Sequence, residues 1–481
     1  MAAAKWAEIP HCGSSKIYGK DPQKLVWRQI QIFRTLRPAS ESAAANLLSR
    51  SENFAGLVRS VISYSPIEPV VITGIGMITS IGHDRESTWR AVQRGECGIR
   101  RMTGLGPIPD NLVLGAPVDL PNQNPDVMKP MQLNDIAAEE AIRDSEIDLS
   151  AVDLDRFGCA ISGHMGDAAG RSILEGRDIN WVTTGKQWWQ QLYPNTSCGQ
   201  IANRYGLLGP RICHSTACAS GLVDMMSAVR AIRDNQCDVA LVGSGETIDP
   251  LFAAGFRSMR VLSDSDDPKN SCRPFDRNRN GFVMGEGSAM FVIERRDHAL
   301  ARGAKIYAEI LGCRCLSEAH HVTGLDMESI ALERLISDTM RVSDISPRDI
   351  EYVNCHGTGT KQNDINEIRG IRAAFGIQAQ RTCVSSLKSM IGHLVNASGS
   401  VELAVTTLAL RDGFMPPTSN LRNPDPECDL DCIPQVGRSL KAQHAMKLSV
   451  AFGGHLVAVA IRRWNDAATG FGYPEELRRA A

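Results

Sequence analysis

The stretch Ser215-Thr216-Ala217-Cys218-Ala219-Ser220-Gly221 sets one cysteine among residues with almost no side-chain bulk. Apolar residues at helical spacing follow at once, from Leu222 to Gln236. A thiol at a helix N-terminus has its thiolate stabilised by the backbone N–H groups there. The same groups can hold the oxyanion that forms when sulfur attacks a thioester. The pattern is how a nucleophile elbow is built, although a lone cysteine is more often a buried packing residue. Three further stretches place reactive residue types in glycine-rich turns. Asn354-Cys355-His356-Gly357-Thr358-Gly359-Thr360 delivers a histidine from an apolar strand into a turn whose two threonines offer hydroxyls to a polar substrate arm. Residues 385–399, SSLKSMIGHLVNASG, hold Lys388 and His393, and Glu402 follows on the next helix, where a carboxylate can fix charge and tautomer. Residues 450–457, VAFGGHLV, bring Phe452 and two glycines to a strand end, where a backbone N–H can face an oxyanion. Each stretch alone has a plain alternative: a turn-capping histidine, a surface lysine, a hairpin.

These turns need strands to end on and helices to start from. Strands are expected at 70–73, 156–162, 238–246, 287–294, 306–313, 350–357, 446–454 and 456–464, with helices at 222–236, 327–343 and 397–413, the last ending at Gly413. Such alternation predicts an α/β fold with helices covering largely parallel sheets, and strand ends are where open α/β sheets place their sites. Similar strand-and-glycine-turn patterns near 212–221 and 353–360 hint at an internal duplication. Cys355 should point to the opposite face of its strand from His356. Gly74 and Gly76 suggest a dinucleotide loop, but the third glycine position is Thr79 and the next glycine is Gly82, so that reading fails.

Composition removes other classes. The chain has 481 residues, 43% hydrophobic, with a net charge of −2, which gives no support for a nucleic-acid surface. Its 14 cysteines include no C-x-x-C pair and read as reduced thiols. No apolar run approaches the roughly 18 residues of a membrane span. Residues 1–67 carry nine Lys/Arg against four acids and are rich in serine and alanine. They read as an N-terminal extension or a start assigned too early, with a transit peptide as the alternative.

In order and spacing, STACASG, RPFDRNRNGFVMGEG, NCHGTGT, SSLKSMIGHLVNASGSVE and FGG resemble the β-ketoacyl-acyl-carrier-protein synthases, specifically the elongating Cys-His-His type of the thiolase superfamily. The resemblance covers residues 68–463. It implies a five-layered αβαβα fold of two similar halves, 68–306 with the cysteine and 307–463 with the two histidines, followed by a tail at 464–481. It also implies a homodimer. The implied reaction is a decarboxylative Claisen condensation in which Cys218 takes an acyl group from an acyl carrier protein and malonyl-carrier protein supplies the attacking carbon. His356 and His393 match the histidines that stabilise the enolate, Lys388 the lysine behind them, and Glu402 a buried acid. Asp364 and Glu367 take supporting places. The N–H groups of Cys218 and Phe452 would form the oxyanion hole, with Phe452 also a gate. Thr358 and Thr360 match threonines that touch the phosphopantetheine arm carrying the substrates. No metal or organic cofactor is implied. The setting would be a bacterial cytoplasm, or a plastid or mitochondrion if residues 1–67 are a transit peptide.

The chain departs from the family pattern at Val450, Ala451 and Leu456, where Phe, Gly and Asn are common. That puts acyl specificity and loop motion in question more than the chemistry. Two other functions stay open: a stand-alone polyketide or specialised-lipid ketosynthase, and a catalytically silent partner subunit.

Overall fold

Val70–Thr79 forms strand β1, buried along its whole length. Its glycines answer the question raised by their spacing. A Cβ on Gly74 would lie 2.3 Å from the Ala141 carbonyl oxygen, and one on Gly76 would lie 2.0 Å from that of Ala137. Both carbonyls belong to helix α1 (Lys129–Ser145), so the glycines let this helix lie directly on the strand. This computed structural model describes residues 68–103, 114–124, 127–163, 191 and 193–465. The extension 1–67, and the tail beyond residue 465, lie outside the described residues, as do the readings made of them.

The remaining strands of the main sheet are β2 (Phe157–Ile161), β3 (Arg211–Ile212), β4 (Val239–Glu246), β5 (Gly287–Arg295), β6 (Ala308–Ser317), β7 (Ile350–Asn354), β8 (Cys383–Ser385), β9 (His444–Ala451) and β10 (His455–Arg463). Hydrogen bonds run through them in the order β8-β7-β9-β10-β6-β1-β5-β4-β2-β3. Each half repeats one plan. β3, β2 and β4 are mutually parallel, then β5 and β1 are antiparallel; β8, β7 and β9 are parallel, then β10 and β6 are antiparallel. The halves meet at an antiparallel seam in which Val70, Val71 and Ile72 pair with Ile310, Glu309 and Ala308. The expectation of a largely parallel sheet is therefore corrected: the centre is antiparallel. The cause is visible at β9 and β10, joined by a tight turn at Phe452, Gly453 and Gly454, which only antiparallel strands allow.

Helices α2 (Ser220–Arg233) and α5 (Ser398–Asp412) lie between the two halves and touch strands of both. Helix α5 is buried from Ser398 to Leu410, so it lacks an amphipathic stripe. It ends at Gly413 with φ +64°, as its glycine predicts. Outside, α1 covers β1, β5 and β4, while α3 (Ile330–Val342) and α4 (Lys361–Phe375) cover the other half. The result is the five-layered αβαβα order of a thiolase-like fold.

The duplication is real, but its partner stretch differs from the one expected. Ala217-Cys218-Ala219 forms a 3₁₀ turn before α2, and Val395-Asn396-Ala397 forms one before α5. Ala217 has φ +48° and Val395 has φ +42°, and each turn continues into Ser-Gly. The match to 215–221 is therefore 393–399. At the crossing of these helix starts, a Cβ on Gly221 would lie 2.3 Å from Ser400 Oγ and 2.6 Å from Ser244 Oγ. Gly221→Ala should therefore force the two helices apart. Overpacking of this kind costs about 1–3 kcal/mol, which chemical denaturation of the variant and the parent would read as a lower midpoint at unchanged slope.

Candidate active site

Three sequence-selected side chains arrive from three elements. Cys218 sits in the turn that opens α2, in the strained backbone just described. His356 leaves the end of β7, and Cys355 before it packs into the opposite core beside Val353, as strand alternation predicts. His393 follows the one-turn helix Lys388–Ile391. The Cys218 Sγ and a ring nitrogen of each histidine all lie within 4.8 Å of one another. The two imidazoles meet edge to face, with centroids 5.2 Å apart, and Phe282 presents its ring to His393 at 5.0 Å. All three reactive residues are buried at the floor of a cavity of about 720 Å³. Thr358, Thr360, Val450, Ala451 and Phe452 line the same cavity. The threonine hydroxyls lie 2.9 Å apart, and Phe452 leans on Phe256 with ring centroids 6.3 Å apart.

The hydrogen bonds fix the tautomers. The backbone N–H of Val395 donates to His393 Nδ1 at 3.1 Å, so that nitrogen accepts and the proton sits on Nε2. Ser398 Oγ lies 2.9 Å from the same Nδ1 and itself accepts the Leu394 N–H. For His356, Lys388 Nζ stands 3.5 Å from Nδ1, and an ammonium can only donate. Both rings thus offer Nε2–H to the cavity. Burial, with Lys388 and Lys447 adding to it, holds both imidazoles well below the ordinary 6.5. They are neutral donors.

Behind them lies a charged layer without solvent. Glu402 on α5 takes Lys388 Nζ at 2.6 Å on one oxygen and Lys447 Nζ at 2.6 Å on the other. The carboxylate thus reaches lysine rather than histidine. Glu367 accepts the N–H groups of His356 at 2.6 Å and Gly357 at 2.5 Å. Asp364 accepts those of Gly359 at 3.1 Å and Phe275 at 2.8 Å, with Arg279 Nε at 3.4 Å. Both acids project from the buried face of α4 and shape the glycine turn that carries His356. Burial lifts the Glu367 carboxyl to about 7, against the pull of the Gly357 N–H.

One expectation is reversed. A helix start lowers a thiol pKa, yet burial pushes the Cys218 thiol up to about 12, opposed chiefly by Lys388. Desolvation outweighs the backbone dipoles here, which favours the protonated thiol. Reading from sequence also missed Lys447, Arg279 and Ser398. The signal for Lys447 was present: it is the one charged residue in Met446-Lys447-Leu448-Ser449-Val450-Ala451, a run otherwise suited to a fully buried strand.

The family model for the β-ketoacyl synthase N-terminal domain matches residues 67–299, and that for the C-terminal domain matches 307–422. A Streptomyces coelicolor protein named as an actinorhodin polyketide β-ketoacyl synthase is 36% identical over 83% of this chain and 89% of its own. The 3-oxoacyl-[acyl-carrier-protein] synthase 2 of Staphylococcus aureus is 34% identical over 82% of this chain and 98% of its own. Among solved structures, a ketosynthase in complex with its type II polyketide acyl-carrier protein superposes with a TM-score of 0.77 at 30% identity, covering 83% of this chain and 100% of that one. A β-ketoacyl synthase from Burkholderia phymatum gives 0.76 at 30% identity over the same shares.

The depressed histidines make a pH prediction. Below about 6.5 the unfolded chain takes protons at His356 and His393 that the native site refuses, so these residues make stability fall as pH falls. Denaturation midpoints of the parent should drop between pH 7 and 5, and those of a His356→Asn/His393→Asn double variant should drop less. Equal pH slopes would show that the native histidines titrate normally.

Proposed function

The chain belongs to the β-ketoacyl synthase family and is a condensing acyltransferase; from that premise we propose that it acts in fatty-acid elongation, on acyl and malonyl groups delivered by acyl carrier protein. The observation that carries this reading is the convergence of one thiol and two Nε2–H donors on a single cavity floor. Cys218 Sγ attacks the acyl thioester carbon, the bond to the pantetheine sulfur breaks, and the thiol proton leaves with that sulfur. Malonyl-carrier protein then enters, its arm passing the Thr358 and Thr360 hydroxyls. His356 and His393 donate to its thioester oxygen, the malonyl carboxylate leaves as CO2, and the enolate is held as it forms. The enolate carbon attacks the Cys218 thioester. The N–H groups of Cys218 and Phe452 take the oxyanion, the C–S bond breaks, and the thiolate takes a proton from water.

No metal or organic cofactor has a place in this sequence of steps. The donor set agrees with that part of the proposal. Each histidine keeps its proton on the nitrogen that a cation would need, because Nδ1 is already an acceptor. Two lysines behind the rings add further repulsion. The proposal includes a homodimer in a bacterial cytoplasm. Among the described residues no helix is long and apolar enough to cross a membrane.

A polyketide role is the second reading, favoured by the 36% identity to the actinorhodin protein. A silent partner subunit is disfavoured by the complete Cys-His-His set. Incubation with medium-chain acyl-carrier protein should add one acyl mass, mapped to Cys218. Malonyl-carrier protein should then yield one β-ketoacyl product per turnover. Chains of repeated unreduced ketides from malonyl alone would move the assignment to polyketide assembly. Cys218→Ala should lower condensation by at least about 10³-fold. His393→Ala should still load the acyl group while decarboxylation falls about 10²- to 10³-fold; a variant that fails to load but still decarboxylates would reverse the roles.

A further inference from the structure

Lys447 stands in the middle of buried strand β9 with no exposed surface. It shares the Glu402 carboxylate with Lys388, so two buried ammonium groups rest on one acid. Its Nζ also donates to the Cys355 carbonyl at 3.1 Å and lies 3.5 Å from that of Asn354. These are the carbonyls just ahead of His356. On the other side of the same backbone, Glu367 takes the amides of His356 and Gly357. The end of β7 is therefore gripped by a cation on its carbonyls and an acid on its amides.

Stability does not account for this arrangement. Buried ion pairs are often replaced by apolar residues of similar volume at no loss, because two charges lose their hydration on folding. Glu402 already has Lys388, so a second ammonium adds desolvation without being needed to neutralise it. Burial accordingly lowers the Lys447 pKa, against the attraction of Glu402. The charged groups that face Lys447 are Glu402 on α5, Lys388 on the one-turn helix and Glu367 on α4, and both histidines feel its field.

We propose that Lys447 is a positioning residue of the decarboxylation step: through the Asn354 and Cys355 carbonyls it holds His356 on the malonyl thioester oxygen, and through Glu402 it fixes Lys388 behind that ring. The inference rests on the condensing-enzyme reading. It makes β9 a link between the Phe452 turn at its end and the histidine on the neighbouring strand.

The test uses the full chain with Lys447→Met, close in length and uncharged, and Lys447→Gln, which keeps an N–H donor. Acyl loading of Cys218 is followed by mass and malonyl-carrier protein decarboxylation by CO2 release across pH 5–9. In the Met variant decarboxylation should fall about 10- to 100-fold while loading changes far less. The acid limb of its pH profile should move to higher pH, because a positive charge beside both imidazoles is gone. The Gln variant should recover part of the rate and show the same shift. Equal losses in both steps with no pH shift, or failure of both variants to fold, would overturn the proposal in favour of a structural lysine. Unchanged decarboxylation in the variants with an active parent would sink the proposal alone. A parent that neither loads nor decarboxylates would sink the condensing-enzyme reading, and this inference with it.

Discussion

One buried carboxylate organises the reactive half of this molecule. Glu402 lies on the central helix α5, away from water, and binds a lysine through each oxygen. Through Lys388 it reaches the His356 ring, and through Lys447 it reaches the backbone that carries that ring. Removing such an acid would leave two cations without a counter-charge in a medium where solvation cannot replace it. Strands β7 and β9 are parallel neighbours and α5 packs against both, which brings that carboxylate within reach of Lys447 and of the strand end that carries His356.

Close approach is the second constraint. The turns that carry Cys218 and Asn396 lead into helix starts that meet at Gly221, and a left-handed residue precedes each of the two. The strain at Ala217 and Val395 persists because the two turns are fixed by the helices they open and the sheets they stand on. A thiol held this rigidly can meet a substrate carbon without first losing conformational freedom.

Cys218, His356 and His393 were legible as a set, since stretches that each have a plain alternative stand here together in one order and spacing. The strands were legible from their apolar runs, as at 238–246 and 287–294. Helices α1 and α4 were not. Helix α1 follows Met128, which gives it no side-chain cap, and the first half of α4 buries Asn363, Asp364, Asn366 and Glu367, so the start of its inward face is polar and mimics a surface. Strand direction was misjudged because an apolar run says nothing of what lies beside it. The charge on Cys218 was misjudged because local dipoles can be read from sequence and burial cannot.

The locked tautomers decide which small molecules the site can hold. Two N–H bonds point into one chamber with cations stationed behind them, so its inner end selects guests by their lone pairs. A neutral carbonyl or sulfonyl oxygen finds both donors ready, whereas an amine must give up its hydration against a field of its own sign. A pharmacophore for this protein therefore begins with an acceptor oxygen, set one bond from an electrophilic atom that the thiol can reach.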